Sequence, residues 1–213
     1  MFIYIYIEKT EANKLYPGKI INIKESANIN IFGVYTKLTD PYVFNNRNNE
    51  YLIYKAQIIG ELRTRKTNDN SSIYNRTSIL NPVKIITLLD QVKLEWTLLI
   101  EARRANNDKR VWHNISSKFV LSNDFILRNK DKVDIEAIFR YQRLNINTIE
   151  ELLLFDKDNN YWFDISCNQR LNEEFIRKYK DKLYLYNVYY HNEELPDKFK
   201  EEIKEWLDNG IGI

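Results

Sequence analysis

The sequence is short of the residues from which most catalytic and metal sites are built. Its 213 residues include one cysteine, two histidines, five glycines and four prolines. A single cysteine excludes a disulfide within the chain, and with two histidines it supplies too few ligands for an ordinary structural zinc site. The lack of disulfides is typical of a reducing compartment, which predicts a cytoplasmic location.

Motifs for phosphate, nucleotide and hydrolytic chemistry are absent as well. The chain contains no G-x-G-x-x-G, P-loop, G-x-S-x-G or H-E-x-x-H pattern. His113 and His191 follow no spacing that would bring a nucleophile or a carboxylate to them, and Cys167 stands at a repeated polar position. We therefore expect a protein that is not an enzyme and has no cofactor or metal. A catalytic cleft in the N-terminal half is the least favoured alternative.

Hydrophobic runs are too short for a membrane segment. The opening MFIYIYIEK lacks the basic residues, the length and the small-residue cleavage site of a signal peptide. No apolar run approaches the roughly 18 residues that a membrane helix requires. We expect no membrane partner.

Charge and composition are those of a globular protein without a dominant charge. Lys and Arg number 32 and Asp and Glu number 30, for a formal net charge of +2. This balance favours neither a general nucleic-acid binder nor an acidic mimic of DNA, although charge can still cluster locally. Asn, Ile, Lys and Tyr are abundant. Their codons are rich in A and T, which predicts an A/T-rich bacterium, phage or large virus as the source.

Residues 1–89 are typical of a small antiparallel β-domain. β-Branched and aromatic runs separated by turn signals predict five strands, at Phe2–Glu8, Lys19–Glu25, Asn28–Lys37, Glu50–Leu62 and Pro82–Leu89. Gly33 interrupts the third run, as a glycine at a β-bulge or a close backbone approach does. The polar segment Arg63–Ser78 is predicted to be a loop, with a short strand at Ser72–Tyr74 as an open alternative.

The hydrophobic period changes at Asp90, and residues 90–213 are predicted to be helical. The first helix runs from Asp90, a capping residue, to Asn106. Apolar residues recur along it at helical spacing, namely Val92, Leu94, Trp96, Leu98, Leu99 and Ala102. The expected fold class is therefore α+β, with a β-domain at 1–89 followed by a helical domain at 90–213.

Four copies of a unit of about 23 residues occupy most of the helical domain, near residues 112–132, 133–155, 162–182 and 183–208. Four columns of residues recur, and they consist of Trp112, Ile135, Trp162, Leu185; Ile115, Ile138, Ile165, Val188; Leu121, Leu144, Leu171, Leu195; and Phe125, Thr148, Phe175, Phe199. An insertion near Asp156–Tyr161 separates the second and third copies. The spacing predicts a stacked array of short helix-turn-helix repeats.

Each repeat also carries signals for the start of its second helix. Ser122, Asn145 and Asn172 follow the repeated Leu as N-caps. With those caps, the Leu and the Ile five residues later form a hydrophobic staple. In the fourth repeat Pro196 replaces the cap and Lys200 replaces the staple residue, which predicts a polar terminal unit that ends the array.

The repeat resembles a short helical repeat of uncharacterised phage and giant-virus proteins, with the form W-x-x-I-S, then L-[SN]-x-[DE]-[FE]-[FI], then K-D-K-[VL]. The residues that carry this resemblance are Trp112, Ile115, Ser116, Leu121, Phe125, Ile126, Lys130, Asp131, Lys132, Trp162, Ile165, Ser166, Gln169, Leu171, Phe175, Ile176, Lys180, Asp181 and Lys182. FGVYTKLTDPYVF, YLIYKAQIIGEL and VKIITLL in the N-terminal half are similar to an uncharacterised β-rich domain that accompanies such repeats. That domain usually has small, Cys or His residues where Val34, Tyr35 and Thr36 stand here. The resemblance implies a viral or mobile-element source and an interaction role.

We predict a non-catalytic protein–protein interaction module of a phage or mobile element, with a host protein or complex as partner. Inhibition of a host defence complex, in the manner of an anti-CRISPR protein, is the use that this context favours. The repeat surface expected to make contact comprises Ser117, Arg140, Arg143, Asn168, Arg170, Arg177 and Lys178. The alternative is nucleic-acid binding through a basic strip formed by Arg63, Arg65, Lys66, Arg103, Arg104, Lys109 and Arg110.

Overall fold

A computed structural model describes residues 2–8, 17–22, 31–35, 51–59, 64–67, 76–79, 82–157 and 160–212. Within these ranges the N-terminal part contains seven strands: β1 (Phe2–Glu8), β2 (Ile20–Asn22), β3 (Ile31–Tyr35), β4 (Tyr51–Ile58), β5 (Thr64–Thr67), β6 (Arg76–Ile79) and β7 (Pro82–Leu88). Five of them form an antiparallel sheet in the order β2-β7-β4-β1-β3, and β5 pairs with β6 separately.

Five of these strands lie within the five predicted runs. The pairing of β1 with β3 shifts register where Tyr6 lies opposite Gly33 and Ile7 lies opposite Ile31, so the glycine does mark a bulge. The loop predicted at Arg63–Ser78 is wrong in part, because β5 and β6 form an antiparallel pair there. Their polar residues carry no hydrophobic alternation, and backbone pairing alone defines the two strands. The alternative strand at Ser72–Tyr74 lies outside the described residues.

Both faces of strand β1 are buried. Ile3, Ile5 and Ile7 point to one face and pack in a cluster with Tyr54, Ala56, Ile58 and Ile85. Tyr4 and Tyr6 are buried on the other face, since successive side chains of a strand alternate. This explains why β1 is apolar throughout rather than alternating between apolar and polar residues.

Helix α1 (Gln91–Arg104) follows the last strand and belongs to the same compact unit. Asp90 caps it as predicted, because its side chain accepts a hydrogen bond from the Lys93 backbone N–H at 2.9 Å. The buried carboxylate of Glu101 hydrogen-bonds the Tyr4 hydroxyl. Burial, then the nearby Glu101 charge and hydrogen bond, raises the pKa of Tyr4 to about 12.

Only some of the apolar residues that recur along α1 are buried. Leu94, Leu98 and Ala102 are buried, whereas Val92 and Trp96 are exposed. The apolar residues occupy two stripes of the helix, and only one stripe is buried. The predicted helix is confirmed, and its apolar spacing does not by itself distinguish the buried residues from the exposed ones.

The chain divides into two compact units, which differ from the predicted domains at their boundary. The N-terminal unit contains residues 1–114 and 118–120, and the C-terminal unit contains residues 115–117 and 121–213. Helix α1 thus groups with the β-strands rather than with the repeats, whereas the domain boundary was predicted between residues 89 and 90. The α+β class itself is confirmed.

Eight further helices form the four repeats within the described ranges: α2 (Lys109–Lys118) with α3 (Asn123–Arg128), α4 (Ile135–Tyr141) with α5 (Ile146–Phe155), α6 (Trp162–Asn168) with α7 (Glu173–Tyr179), and α8 (Leu185–His191) with α9 (Asp197–Asp208). First helices pack on first helices, with α4 against α6 and α6 against α8. Second helices α3 and α5 also pack together. The predicted stacked array of helix-turn-helix repeats is confirmed.

The repeated columns form the core of this array. Every member of the second, third and fourth columns is buried, and in the first column only Trp162 is partly exposed. Ser122, Asn145 and Asn172 cap α3, α5 and α7, each accepting a hydrogen bond from the backbone N–H three residues on. The staple residues Ile126, Ile149 and Ile176 are fully buried. As predicted, α9 starts at Pro196 without a side-chain cap.

Candidate interaction surfaces

A ladder of buried amide side chains joins consecutive repeats in the C-terminal unit. Gln142 accepts a hydrogen bond from the Leu121 backbone N–H at 3.0 Å and donates to the Ser116 carbonyl at 2.8 Å. Gln169 does the same one repeat later, accepting from Leu144 at 3.1 Å and donating to two carbonyls. Each amide satisfies backbone groups that the turn between two short helices leaves unpaired.

Asn192 continues the ladder with a side chain that is one methylene shorter. Its Oδ1 accepts from the Leu171 backbone N–H at 2.9 Å. Its buried Nδ2 has no hydrogen-bond partner among the described residues. Asn192 therefore accepts a backbone hydrogen bond as Gln142 and Gln169 do, but its amide nitrogen donates none among the described residues.

The serine of the W-x-x-I-S motif connects each first helix to the next repeat. Ser116 Oγ accepts from the Asp134 backbone N–H at 3.0 Å, and Ser166 Oγ accepts from the Tyr184 backbone N–H at 3.0 Å. In the second repeat Phe139 takes the serine position and packs on Tyr161, with ring centroids 5.1 Å apart. This exception falls next to the insertion at Asp156–Tyr161, and an aromatic contact is found where the first and third repeats have a backbone hydrogen bond.

The charged residues predicted as a free repeat surface are engaged within the C-terminal unit. Arg140 contacts Asp164 at 3.0 Å and Glu136 at 2.7 Å, and the bond to Asp164 is the chief cause that raises its pKa above the ordinary arginine value. Arg143 donates to the Asn168 carbonyl. Arg140 and Arg143 thus connect the second repeat to the third.

The remaining predicted cations also connect neighbouring repeats. Lys178 lies 2.7 Å from Glu150, and Arg170 lies 2.7 Å from Glu194. Arg177 forms a two-point contact with Glu202, and its guanidinium lies 4.6 Å from the centre of the Phe199 ring. Ser117 is buried and Asn168 is half-buried. The structure therefore gives these positions a role in joining repeats, which the sequence pattern did not reveal.

An exposed aromatic face lies on helices α6 and α8. It consists of Phe163, Tyr184, Tyr186, Tyr189 and Tyr190. Phe163, Tyr186 and Tyr190 are 53%, 61% and 57% exposed. Phe163 contacts Tyr184 edge-on with ring centroids 5.3 Å apart, while Tyr190 contacts Tyr186 at 4.6 Å and Tyr189 at 5.0 Å.

The aromatic face is built from outward positions that the repeat does not use for its core. Phe163 and Tyr186 directly follow the first-column residues of the third and fourth repeats, and Glu136 holds the same place in the second repeat. The neighbouring Tyr190 hydroxyl raises the pKa of Tyr186 above its ordinary value. Ser166 fixes the backbone of Tyr184 beneath the face. The sequence signal that could have revealed it is the change from charged to aromatic residues at this repeat position.

A cluster of basic residues lies where α1 ends and α2 begins, in the N-terminal unit. Arg103, Arg104, Lys109 and Arg110 are exposed on either side of a turn at 105–108. Asn106 and Asn107 adopt positive φ angles of 51° and 54° there, in the left-handed region that Asn tolerates better than most residues. We call the four cations with this turn the basic corner.

The structure does not place the other three predicted basic residues at this corner. Arg65 and Lys66 lie on strand β5, where they pair with Ser78 and Thr77 of β6. Arg63 lies outside the described residues. The structure therefore describes the side chains of the predicted cluster at 103–110. For Arg65 and Lys66 it gives only the position of the backbone in strand β5.

A depression of about 730 Å³ lies among the turns of the last three repeats. His191, Arg170 and Glu194 are among the residues that line it, and Arg170 and Glu194 form an ion pair with each other. Its lining contains no Ser, Thr, Cys or Lys.

Cys167 lies outside this depression, is half-buried, and accepts a hydrogen bond from Asn187. Among the described residues no group of three or more His, Cys, Asp or Glu side chains is arranged to hold a metal ion.

Comparison of this chain with protein-family models, with characterised proteins and with solved structures finds no match. In the part of the chain that the structure describes, no helix is long and apolar enough to cross a membrane.

Proposed function

We propose that this protein is a non-catalytic protein–protein interaction module whose C-terminal repeats bind a partner protein through the aromatic face. The observation that carries the proposal is two groups of contacting rings on α6 and α8, Phe163 with Tyr184 and Tyr190 with Tyr186 and Tyr189, in which Phe163, Tyr186 and Tyr190 are more than half exposed. Tyrosine and phenylalanine are enriched at protein interfaces because they bury a large apolar area at a low cost in side-chain entropy. An exposed aromatic cluster of this kind is uncommon on a surface that faces only water.

The scaffold beneath the face supports this use. Stacked repeats bury their columns internally and leave one outward row per helix free to vary without loss of stability. The bonds from Ser166 and the ion pairs between repeats hold the helices in fixed relation. A partner would meet a preorganised surface, which lowers the entropy lost on binding.

The expected source and partner belong to the same proposal. The composition and the resemblance of the repeat support a phage or mobile-element protein that acts in the host cytoplasm. In that setting a host defence complex is the partner that we propose, with inhibition of that complex as the outcome.

The experiment is affinity capture from the host cell followed by binding measurements with the purified partner. The variant Phe163→Ser/Tyr186→Ser/Tyr190→Ser removes three exposed rings and should weaken binding by at least about tenfold, because hot-spot aromatics dominate interface energy. Leu154→Ser is the matched control, since Leu154 is an exposed apolar residue of α5 outside the face. Equal binding by the triple variant, or equal losses in both variants, would contradict the proposal.

A further inference from the structure

The near-zero net charge of the chain conceals a separation of charge between its two parts. Residues 1–120 contain 18 Lys and Arg against 11 Asp and Glu, a formal charge of +7. Residues 121–213 contain 14 against 19, a formal charge of −5. The two compact units differ from these ranges only by Ile115, Ser116 and Ser117. Because these three residues are uncharged, each unit has the same formal charge as its range. The N-terminal unit is therefore basic by itself.

The basic corner concentrates that charge at an exposed place. Arg103 and Arg104 end α1, Lys109 and Arg110 open α2, and a turn of four residues, 105–108, separates the two pairs. Among the described residues, Arg103 and Lys109 form no ion pair, whereas Arg110 is held by Asp108 at 3.1 Å. A helix C-terminus attracts cations such as Arg103 and Arg104, but a helix N-terminus disfavours Lys109 and Arg110. The second pair is thus not explained by helix stability.

One face of α1 carries the exposed indole of Trp96 and ends at the basic corner. Val92, Trp96, Leu99 and Arg103 recur at intervals of four, three and four residues, so they share one face of the helix. Trp96 is 62% exposed. Trp96 and Arg103 are two helical turns apart, a rise of about 10.5 Å. The indole and the Arg103 guanidinium therefore share one face of a single helix, and Arg104 and Lys109 flank the end of that helix in the chain.

We propose that this surface of the N-terminal unit binds single-stranded nucleic acid, with a base stacked on Trp96 and phosphates held by Arg103, Arg104 and Lys109. Aromatic platforms beside cations are how single strands are held without sequence preference. The positive charge of the unit complements a polyanion. A duplex would leave the indole without a base face to stack on, which favours an unpaired strand. This function is separate from partner binding by the aromatic face of the C-terminal unit.

The test is fluorescence anisotropy of the full chain with a labelled oligothymidylate or oligouridylate of about 16 nucleotides, titrated across about 50 to 200 mM salt. Trp96→Ala should weaken binding about 5- to 150-fold, whereas Trp96→Phe, which retains a ring, should lose much less. Arg103→Gln/Arg104→Gln/Lys109→Gln should reduce the slope of log K against log salt by about 2, since three single-strand contacts contribute about 0.7 each.

The matched control is Lys157→Gln/Lys198→Gln/Lys204→Gln, which removes three exposed cations of the acidic C-terminal unit. It should leave both affinity and salt slope unchanged. Absence of binding at the lowest salt would overturn the proposal, as would an equal effect of the two triple variants. Equally tight binding of a duplex, or of polyglutamate with the same dependence on Trp96, would overturn the assignment to single strands. None of these outcomes bears on the aromatic face, which the variants leave intact.

Discussion

The side-chain carbonyl of Gln169 accepts a hydrogen bond from the backbone N–H of Leu144, 25 residues earlier in the chain and 3.1 Å away. The same amide donates to the carbonyls of Phe139 and Gln142 at 2.6 and 2.8 Å. One buried side chain thus forms hydrogen bonds with three backbone groups of the preceding repeat. This relationship makes the repeats cooperative, because the backbone groups of one repeat depend on a side chain of the next.

Replacing Gln169 with Leu should therefore destabilise the C-terminal unit strongly. The change keeps the volume and leaves one N–H and two carbonyl groups buried without partners, at about 1–3 kcal/mol each. We expect a loss of about 3 kcal/mol or more in the free energy of unfolding, measured by urea denaturation. Lys204→Gln is the control, since Lys204 is an exposed residue of the same unit. A loss below about 1 kcal/mol for Gln169→Leu would contradict the ladder.

Replacing Asn192 with Gln should stabilise the protein. The added methylene extends the amide to the length used by Gln142 and Gln169, so the nitrogen that lacks a partner can reach backbone carbonyls as theirs do. Satisfying a buried donor contributes about 1 kcal/mol. Thermal unfolding should show a higher midpoint than the natural protein. A lower midpoint would mean that the site is too tightly packed to admit the longer side chain.

Tyr4 should make the N-terminal unit sensitive to high pH. Its pKa is raised to about 12, whereas an ordinary tyrosine ionises near 10. Between these values the unfolded chain releases the phenolic proton and the folded chain keeps it, so stability falls as pH rises. Tyr4→Phe should lose this part of the pH dependence when unfolding is followed from pH 9 to 12. The same variant should be less stable at neutral pH, because Glu101 loses a buried hydrogen bond.

Tyr186→Phe provides the comparison for that titration. Tyr186 is exposed, and its raised pKa comes chiefly from the hydroxyl of Tyr190 rather than from burial. Its removal should leave most of the alkaline dependence in place. If the natural protein and Tyr4→Phe lost stability in parallel as pH rises, the buried Tyr4–Glu101 bond would not be the cause.

The helical repeats were readable from the sequence because their signals are local. Residues such as Leu171 and Ile176 recur at spacings that a short helix, a cap and a second helix require, and each contact spans a few residues. The strand at Phe2–Glu8 was equally clear, since six consecutive β-formers admit few alternatives. The same rules missed the β5–β6 pair, because backbone pairing between polar residues leaves no hydrophobic pattern to detect.

The sequence by itself determined the elements of the repeats, their caps and the residues of their core. Only the tertiary structure decided which side of α1 is covered, so that Leu98 is buried and Trp96 is exposed, since both fit a helical apolar spacing. It also decided that Arg140 and Arg177 connect repeats and that Gln169 is a buried rung. Ion pairs and amide hydrogen bonds depend on which groups meet across more than twenty residues of chain, and that proximity has no period in the sequence.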